Sequence, residues 1–380
     1  MKKTKIVAAY LPQYHETPDN NLFWGEGFTD WKAVKDAKPQ YPGHRQPKRP
    51  LNENYYDLSD ENIIRWQAGL AREYGIDAFN IYHYWFKDGK QELEKPAELL
   101  LANPDIQIEY FFSWDNSAWI RSWSNVPGGN AWAPSYDRKT QGGKQVLVEL
   151  DYGDESQWRN HFEYLLAFFK DDRYLKIDGK PVFCFMRSGD GEILTKIRDC
   201  WQRLAKENGF PGLYLISSKR SFLEPYYFDN VYLYEPNASG WGKRIAIEVR
   251  LKKLFRFPEK KSKTIRLDYD RYWKKLLKNA KRIKREFFLG ALVSFDDTPR
   301  RGGQARIIEN STPLRFKQYF RDLYRMSCER NNELVFLTAW NEWGEGACLE
   351  PDEDNGYGYL DAVKEVKRDV LASLAETGGL

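Results

Sequence analysis

The sequence predicts an α/β fold, a single (β/α)8 TIM barrel with long βα loops, and three observations carry that expectation. Eight short apolar runs recur, at Ile6–Leu11, Ala78–Tyr84, Ile106–Trp114, Val182–Met186, Leu213–Ser217, Val231–Tyr234, Phe288–Phe295 and Leu334–Ala339. Amphipathic helical patterns separate most of them, which is the arrangement of parallel strands covered on both faces. No Gly-x-Gly-x-x-Gly follows the first run, which weakens a dinucleotide-binding, doubly wound alternative.

Each element has its own signal. The basic start, Met1 to Lys5, leads into Ile6–Leu11, too short for the apolar core of a signal peptide; it reads as the first strand. Glu16–Asn54 follows, rich in Gly, Pro and Trp and without clear secondary structure; loops of that length are usually functional. Asp60–Tyr74 is an amphipathic helix that stops at Gly75. Trp119–Leu147, with Arg121, Trp123 and Trp132, reads as a loop that walls or covers a cleft. Helices are predicted at Gln157–Lys170, Ile193–Asn208, Tyr269–Arg285, Leu314–Arg330 and Ala362–Ala375. The whole span 1–380 is read as one catalytic barrel with a basic insertion near 237–267.

Composition limits the function classes. The net charge of +4 is too small to indicate nucleic-acid binding, and no nucleic-acid module accompanies it. No apolar run reaches membrane-spanning length. Cys184, Cys200, Cys328 and Cys348 form no CxxC pair and read as reduced, buried thiols of a cytoplasmic protein. The 14 Trp and 24 Tyr are an excess that a carbohydrate-binding cleft would explain. His15, His44 and His83 lack the spacing of metal ligands, so neither a metal nor another cofactor is expected.

In barrels of this kind the functional residues lie after the strands. Here those positions carry Tyr10, Gln13, Tyr14 and His15; Tyr82, His83, Tyr84 and Trp85; Trp114 and Asn116; then Glu235, Asp296 and Arg300. The last run ends in Trp340-Asn341-Glu342-Trp343-Gly344-Glu345-Gly346. Two carboxylates three residues apart on a turn, flanked by indoles, suit glycoside chemistry: an acid for the leaving oxygen, a base or nucleophile, and flat faces for sugar rings. Glu342 and Glu345 are the candidate catalytic residues. Trp24, Trp31, His44, Trp119, Arg121, Asn341 and Trp343 join the strand-end residues as candidate substrate contacts.

Several blocks carry a family resemblance: Leu11 to His15, Trp24 to Trp31, Gly43 to Pro47, Tyr82 to Trp85, Asp296 to Arg300 and Trp340 to Gly346. Together they resemble the WbsX-type proteins, related to glycoside hydrolase family 99. The resemblance implies a (β/α)8 barrel and retaining, endo-α-mannosidase- or mannanase-like action. One glutamate removes the proton of the substrate's own 2-hydroxyl, which forms a 1,2-anhydro sugar; a second protonates the leaving oxygen. The family's Glu-x-x-Glu pattern falls on Glu342 as the base and Glu345 as the acid/base. It also implies a bacterial surface polysaccharide or its lipid-linked precursor as substrate. A glycosyltransferase of O-antigen or capsule assembly and a non-catalytic glycan-binding barrel remain alternatives. A transferase would show several basic groups beside the glutamates. The sequence departs from its relatives at Ser117, where they have glutamate, and at Phe295, where they have tryptophan.

Lys243–Arg285 is dense in Lys and Arg with apolar residues interleaved. That pattern is either a solvated helix face or a surface for peripheral contact with an anionic membrane.

Overall fold

The computed structural model describes residues 4–120, 146–189, 191–219, 227–240 and 264–376. Eight parallel strands form the barrel: β1 (Lys5–Tyr10), β2 (Ala78–Trp85), β3 (Glu109–Trp114), β4 (Lys180–Phe185), β5 (Tyr214–Lys219), β6 (Asn230–Leu233), β7 (Leu289–Leu292) and β8 (Leu334–Thr338). They bond in the order β6-β5-β4-β3-β2-β1-β8-β7. The ring closes through a parallel bridge between Tyr232 and Phe288. There Phe288 N–H donates to Val231 O at 3.0 Å and Leu233 N–H to Phe288 O at 3.3 Å. Gly290 permits this junction, because a Cβ would stand 1.8 Å from the Leu233 carbonyl oxygen.

The lumen is filled by aromatic rings from strands that are not neighbours. Phe336 of β8 stacks on Tyr232 of β6 at 4.0 Å, and Phe111 of β3 meets its edge at 6.2 Å. The barrel is thus a packed core with its usable space at the strand ends.

Helices cover the outside: α3 (Glu61–Glu73), α4 (Lys95–Ala102), α5 (Glu155–Lys170), α6 (Gly191–Glu207), α7 (Tyr269–Arg282), α8 (Pro313–Glu329) and α9 (Gly358–Glu376). Side-chain caps fix the starts of α3, α5, α7 and α8: Asp60 on Asn62 N–H, Asp154 on Ser156 and Gln157 N–H, Asp268 on Arg271 N–H, and Thr312 on Arg315 N–H. Two further helices, α1 (Pro18–Trp24) and α2 (Asp30–Asp36), lie in the β1 loop. The sequence reading left Glu16–Asn54 without secondary structure, and it missed α4. Each of α1, α2 and α4 is only two turns long, too short for a clear apolar period; α1 starts from Thr17, whose hydroxyl accepts Asn20 N–H, with Pro18 in its first turn.

The run read as Phe288–Phe295 divides. β7 ends at Leu292, and Phe295–Asp296 pairs antiparallel with Arg306–Glu309, which runs parallel to Ile265–Asp268. This small sheet carries Asp296 and Arg306 past the end of β7.

All four cysteines are buried free thiols. No described helix is long and apolar enough to cross a membrane. Of the basic stretch, residues 243–263 lie outside the described residues. Its α7 portion buries Tyr269, Tyr272, Trp273, Leu276 and Ala280, so that helix spends its apolar face on the barrel and leaves Lys274, Lys278 and Lys281 exposed.

Candidate active site

The site is built on the turn after β8. Asn341–Glu342 pairs antiparallel with Ala347–Cys348 around a 3-10 turn at Trp343–Glu345. Asn341 fixes this hairpin to β1: its Oδ1 accepts Leu11 N–H at 2.7 Å and its Nδ2 donates to Leu11 O at 2.9 Å. The Tyr14 hydroxyl donates to Asn341 O at 2.7 Å and accepts Trp343 N–H at 3.1 Å. Beneath the turn, Trp31 packs on Tyr14 and Trp343 with ring centroids 4.6 and 5.6 Å apart. Glu350 closes the underside, accepting from Trp343 Nε1, Tyr56 OH and Gln67 Nε2 at 2.7 to 2.8 Å. Burial nevertheless pushes its pKa up to about 7.

Arg300 stands at the centre of the charges. Its Nη2 lies 2.7 Å from Asp30 Oδ2 and 3.0 Å from Glu342 Oε2, and its Nη1 lies 2.9 Å from Glu345 Oε1. Burial alone would lower the guanidinium pKa, but the three carboxylates outweigh it and hold it well above its ordinary value. Three carboxylates cannot all be neutralised by one buried cation. Glu342 shows the result: burial first, then Glu345 and Asp30, push its pKa up to about 8 against the pull of Arg300. Gly344 makes this packing possible, because a Cβ there would stand 2.7 Å from Arg300 Nε and 2.9 Å from Asp30 Oδ2.

A cavity of about 320 Å³ opens at this end of the barrel. Among the candidates named from sequence, Gln13, Trp24, Tyr82, Tyr84, Trp119, Arg300, Glu342 and Glu345 line it. Trp24 and Trp119 come within 6.2 Å of each other, and Tyr82 and Tyr234 hydroxyls within 3.3 Å.

The other candidates do not line the cavity. His83, Trp85 and Trp114 point outward into the helical layer. His83 Nε2 lies 2.8 Å from His161 Nε2 on α5, Trp85 stacks on His161 at 4.3 Å, and Trp114 meets its edge at 4.8 Å. Burial depresses the His83 pKa to about 3, so this pair is neutral. The reason is strand alternation: Tyr82 and Tyr84 face the lumen, so His83 and Trp85 cannot. Tyr10 likewise turns outward, its hydroxyl on Gln67 Oε1 at 2.7 Å. Glu235 is buried against α7, accepting from Ser239 N–H and hydroxyl and from Tyr272 OH, with burial raising its pKa to about 7.

Several act as supports instead. Tyr14, Trp31, Asn341 and Trp343 hold the turn, as above. Asp296 accepts from His44 Nε2 and Gln46 Nε2, each at 2.7 Å, and so ties the β1 loop to the end of β7. His44 Nδ1 accepts Gln40 N–H at 3.0 Å, which leaves the proton on Nε2 for Asp296. Asn116 clamps the Arg187 backbone through two 2.8 Å bonds. His15 is buried with its Nδ1 unpaired. Arg121 lies outside the described residues.

The candidate contacts omit several residues of the cavity wall: Phe28, Asp30, Asp115, Arg187, Tyr234 and the pair Arg301 and Arg306. Phe28 and Asp30 stand within the Trp24–Trp31 block, and Asp115, Arg187 and Tyr234 are read from the sequence as strand-end residues of the rim, though not as substrate contacts. Asp115 lines the cavity while Ser117 donates to it at 2.7 Å. No group of three or more His, Cys, Asp or Glu able to hold a metal ion occurs among the described residues.

Residues 6–363 match the family described as Glycosyltransferase WbsX. The chain belongs to the WbsX family. This WbsX-family chain is 30% identical over 372 residues to the uncharacterized protein WxcX of Xanthomonas campestris pv. campestris, covering 95% of the chain and 49% of WxcX. It spans about half the length of the curated relatives it matches. Its fold is similar to that of the GH99 endo-alpha-mannosidase from Bacteroides thetaiotaomicron, at TM-score 0.56 and 15% identity over 97% of this chain and 98% of that one. A glycoside hydrolase-like protein is similar at TM-score 0.52 and 15% identity, over 96% and 94%. At such identities the likeness speaks for the barrel and not for the reaction.

Proposed function

We propose that the chain is a glycan-active enzyme, and specifically a retaining glycoside hydrolase in which Glu342 and Glu345 act as a pair. One observation carries this reading: both carboxyl groups reach the same cavity and are joined there by Arg300. Glu342 serves as the base in its ionised form, which Arg300 favours at 3.0 Å and which its pKa of about 8 makes the major form above that pH. It takes the proton of the sugar's 2-hydroxyl, whose oxygen bonds to the anomeric carbon. As that bond forms, the bond to the leaving oxygen breaks and Glu345 gives its proton to that oxygen. Water, losing its proton to Glu345, then opens the 1,2-anhydro ring at the anomeric carbon, and Glu342 returns its proton to the 2-oxygen. Trp24, Trp119, Tyr82 and Tyr84 offer faces for sugar rings.

The test is a hydrolysis screen over mannans and surface polysaccharides with Glu345→Gln beside the wild type. Loss of about a hundredfold or more in turnover, with glycan binding retained, is expected for a general acid. Near-normal turnover by the variant removes Glu345 from that role. Cleavage of a substrate lacking the 2-hydroxyl replaces the 2-hydroxyl route by direct carboxylate attack.

A glycosyltransferase is the second reading. Arg187, Arg301 and Arg306 in the same cavity wall favour it, since a phosphate leaving group needs such cations. A sugar-phosphate donor consumed only in the presence of an acceptor glycan would select it. The exposed Lys274, Lys278 and Lys281 of α7 also support peripheral contact with an anionic membrane. Equal flotation with neutral and anionic vesicles would remove that contact.

A further inference from the structure

Away from the cleft, an open groove of about 640 Å³ lies between α3 and the turn before α9. One wall runs along α3 from Asn62 to Tyr74, a length of about 18 Å at the rise of a helix. Trp66, Leu70 and Tyr74 recur along it at a spacing of four and so share one face. From the other side Tyr357, 40% exposed, lays its ring nearly parallel to that of Tyr74, at 5.9 Å and 12°. The turn that carries Tyr357 is held firmly: Gly356 N–H donates to Asp352 O at 2.8 Å and Asn355 N–H to Asp352 Oδ1 at 2.7 Å. Gly69 lies inside α3 and lines the same groove. Glycine weakens a helix interior relative to alanine. No close neighbour requires it here, because a Cβ at Gly69 would meet nothing within 4 Å and the backbone is ordinary helix. Gly69 thus keeps the groove clear although it weakens the helix, which points to a group that rests directly on the backbone there.

The charges around the groove describe that group. Arg65 pairs with Asp105 and also feels Glu61. Lys364 Nζ lies 4.0 Å from Glu73 Oε1 and 4.9 Å over the Tyr74 ring, and Asp361 is the further carboxylate felt at Tyr74. Both cations are therefore held by carboxylates, and the remaining acidic groups oppose an anion. Flat rings beside polar edges, with no charge to answer, suit the apolar faces and hydroxyl rims of neutral sugar units. The groove also backs onto the catalytic turn: Trp66 meets Tyr56 at 6.2 Å, and the Tyr56 hydroxyl donates to Glu350 beneath that turn.

We propose that this groove is a second glycan site, which takes a run of neutral sugar units of a polysaccharide on Trp66, Tyr74 and Tyr357, with one unit seated over Gly69. The site rests on the glycan-active reading and names the substrate as a polymer. Groove and cleft then hold one chain at two places, so that release from the cleft leaves the next segment at a high effective concentration.

Binding is read by retardation of the protein in native gels that contain mannan, dextran or galactan, all neutral polysaccharides. At least one is expected to retard the wild type. Gly69→Ala and Tyr357→Ala should each weaken that binding about threefold or more, as loss of a seat or of a stacking face requires. Gly69→Ala should at the same time raise the melting temperature, because alanine is the better helix former. Weaker binding by a more stable protein separates a filled groove from a damaged fold. Leu314→Ser, at an exposed apolar residue of α8, should bind as the wild type does. No retardation by any of the three polymers, or retardation unchanged in Gly69→Ala or in Tyr357→Ala, overturns the site. A wild-type dimer in ultracentrifugation that Tyr357→Ala dissociates gives the groove to a second copy of the chain and overturns the glycan occupant. The hydrolase reading is judged apart, by the turnover of Glu345→Gln, and its failure leaves the groove binding standing.

Discussion

Asn341 and Leu11 are paired as two strands would be, except that one partner is a side chain. The Asn341 amide accepts from and donates to the Leu11 backbone, at 2.7 and 2.9 Å, just where β1 and β8 stop pairing through their main chains. This amide sets the residue before Glu342. Asn341→Leu would strand a buried N–H and a buried carbonyl, costing about 2–4 kcal/mol. A lowered melting temperature and at least about a tenfold loss of turnover are expected. An unchanged melt would show that the pairing is dispensable.

Glu342 gives the chain a pH-dependent stability with a defined sign. Its pKa rises from the ordinary 4.5 to about 8 on folding, so the folded state holds its proton more tightly. That stabilisation is complete below about pH 4.5 and is lost as pH rises through about 8. Glu342→Gln has no proton to lose. Its melting temperature should therefore gain on the wild type between pH 5 and pH 9; Glu235 and Glu350 are common to both proteins. A gap that stays constant over this range refutes the assignment.

Gly344→Ala tests how closely Arg300 is packed. The added methyl meets Arg300 Nε at 2.7 Å and Asp30 Oδ2 at 2.9 Å, and one of them must move. Overpacking of this kind costs about 1–3 kcal/mol. Because Arg300 joins both glutamates, turnover should fall more than the melting temperature alone would explain. Wild-type kinetics in Gly344→Ala would mean that Arg300 need not stay where it is.

Neighbouring residues on β2 should behave oppositely. Tyr84→Ala removes a ring from the cavity and should weaken glycan binding about tenfold, with a modest effect on the fold. His83→Phe leaves His161 without its 2.8 Å partner and should lower the melting temperature while glycan affinity holds. If the two variants exchange phenotypes in calorimetry, the facing of β2 is wrong.

Much of this was legible in the residues. The eight apolar runs became the eight barrel strands, because strands buried on both faces need continuous apolar sequence. The long helices were visible in their apolar period and their stops. The Glu342–Glu345 turn announced itself by its chemistry. Facing is less legible: Tyr82 to Trp85 read together as sugar contacts, although alternation sends His83 and Trp85 to the far side of the sheet. Asp30, Arg301 and Arg306 were harder. Asp30 follows β1 and the two arginines follow β7, and only the fold brings Asp30 to Arg300 and sets Arg301 and Arg306 on the cavity wall. Their place on the cavity wall is a property of tertiary contact.

Arg300 also says when the work of ordering is done. Its three carboxylates, the glycine that makes room for it and the tyrosine and asparagine that hold the turn are fixed by contacts within the chain. Dipoles and charges aligned in advance need no rearrangement as charge develops on a reacting group. The free energy of gathering like charges is thus borne by folding, through the burial of the barrel and its aromatic underlayer. A sugar entering this cleft meets a field whose cost is carried by the barrel beneath it.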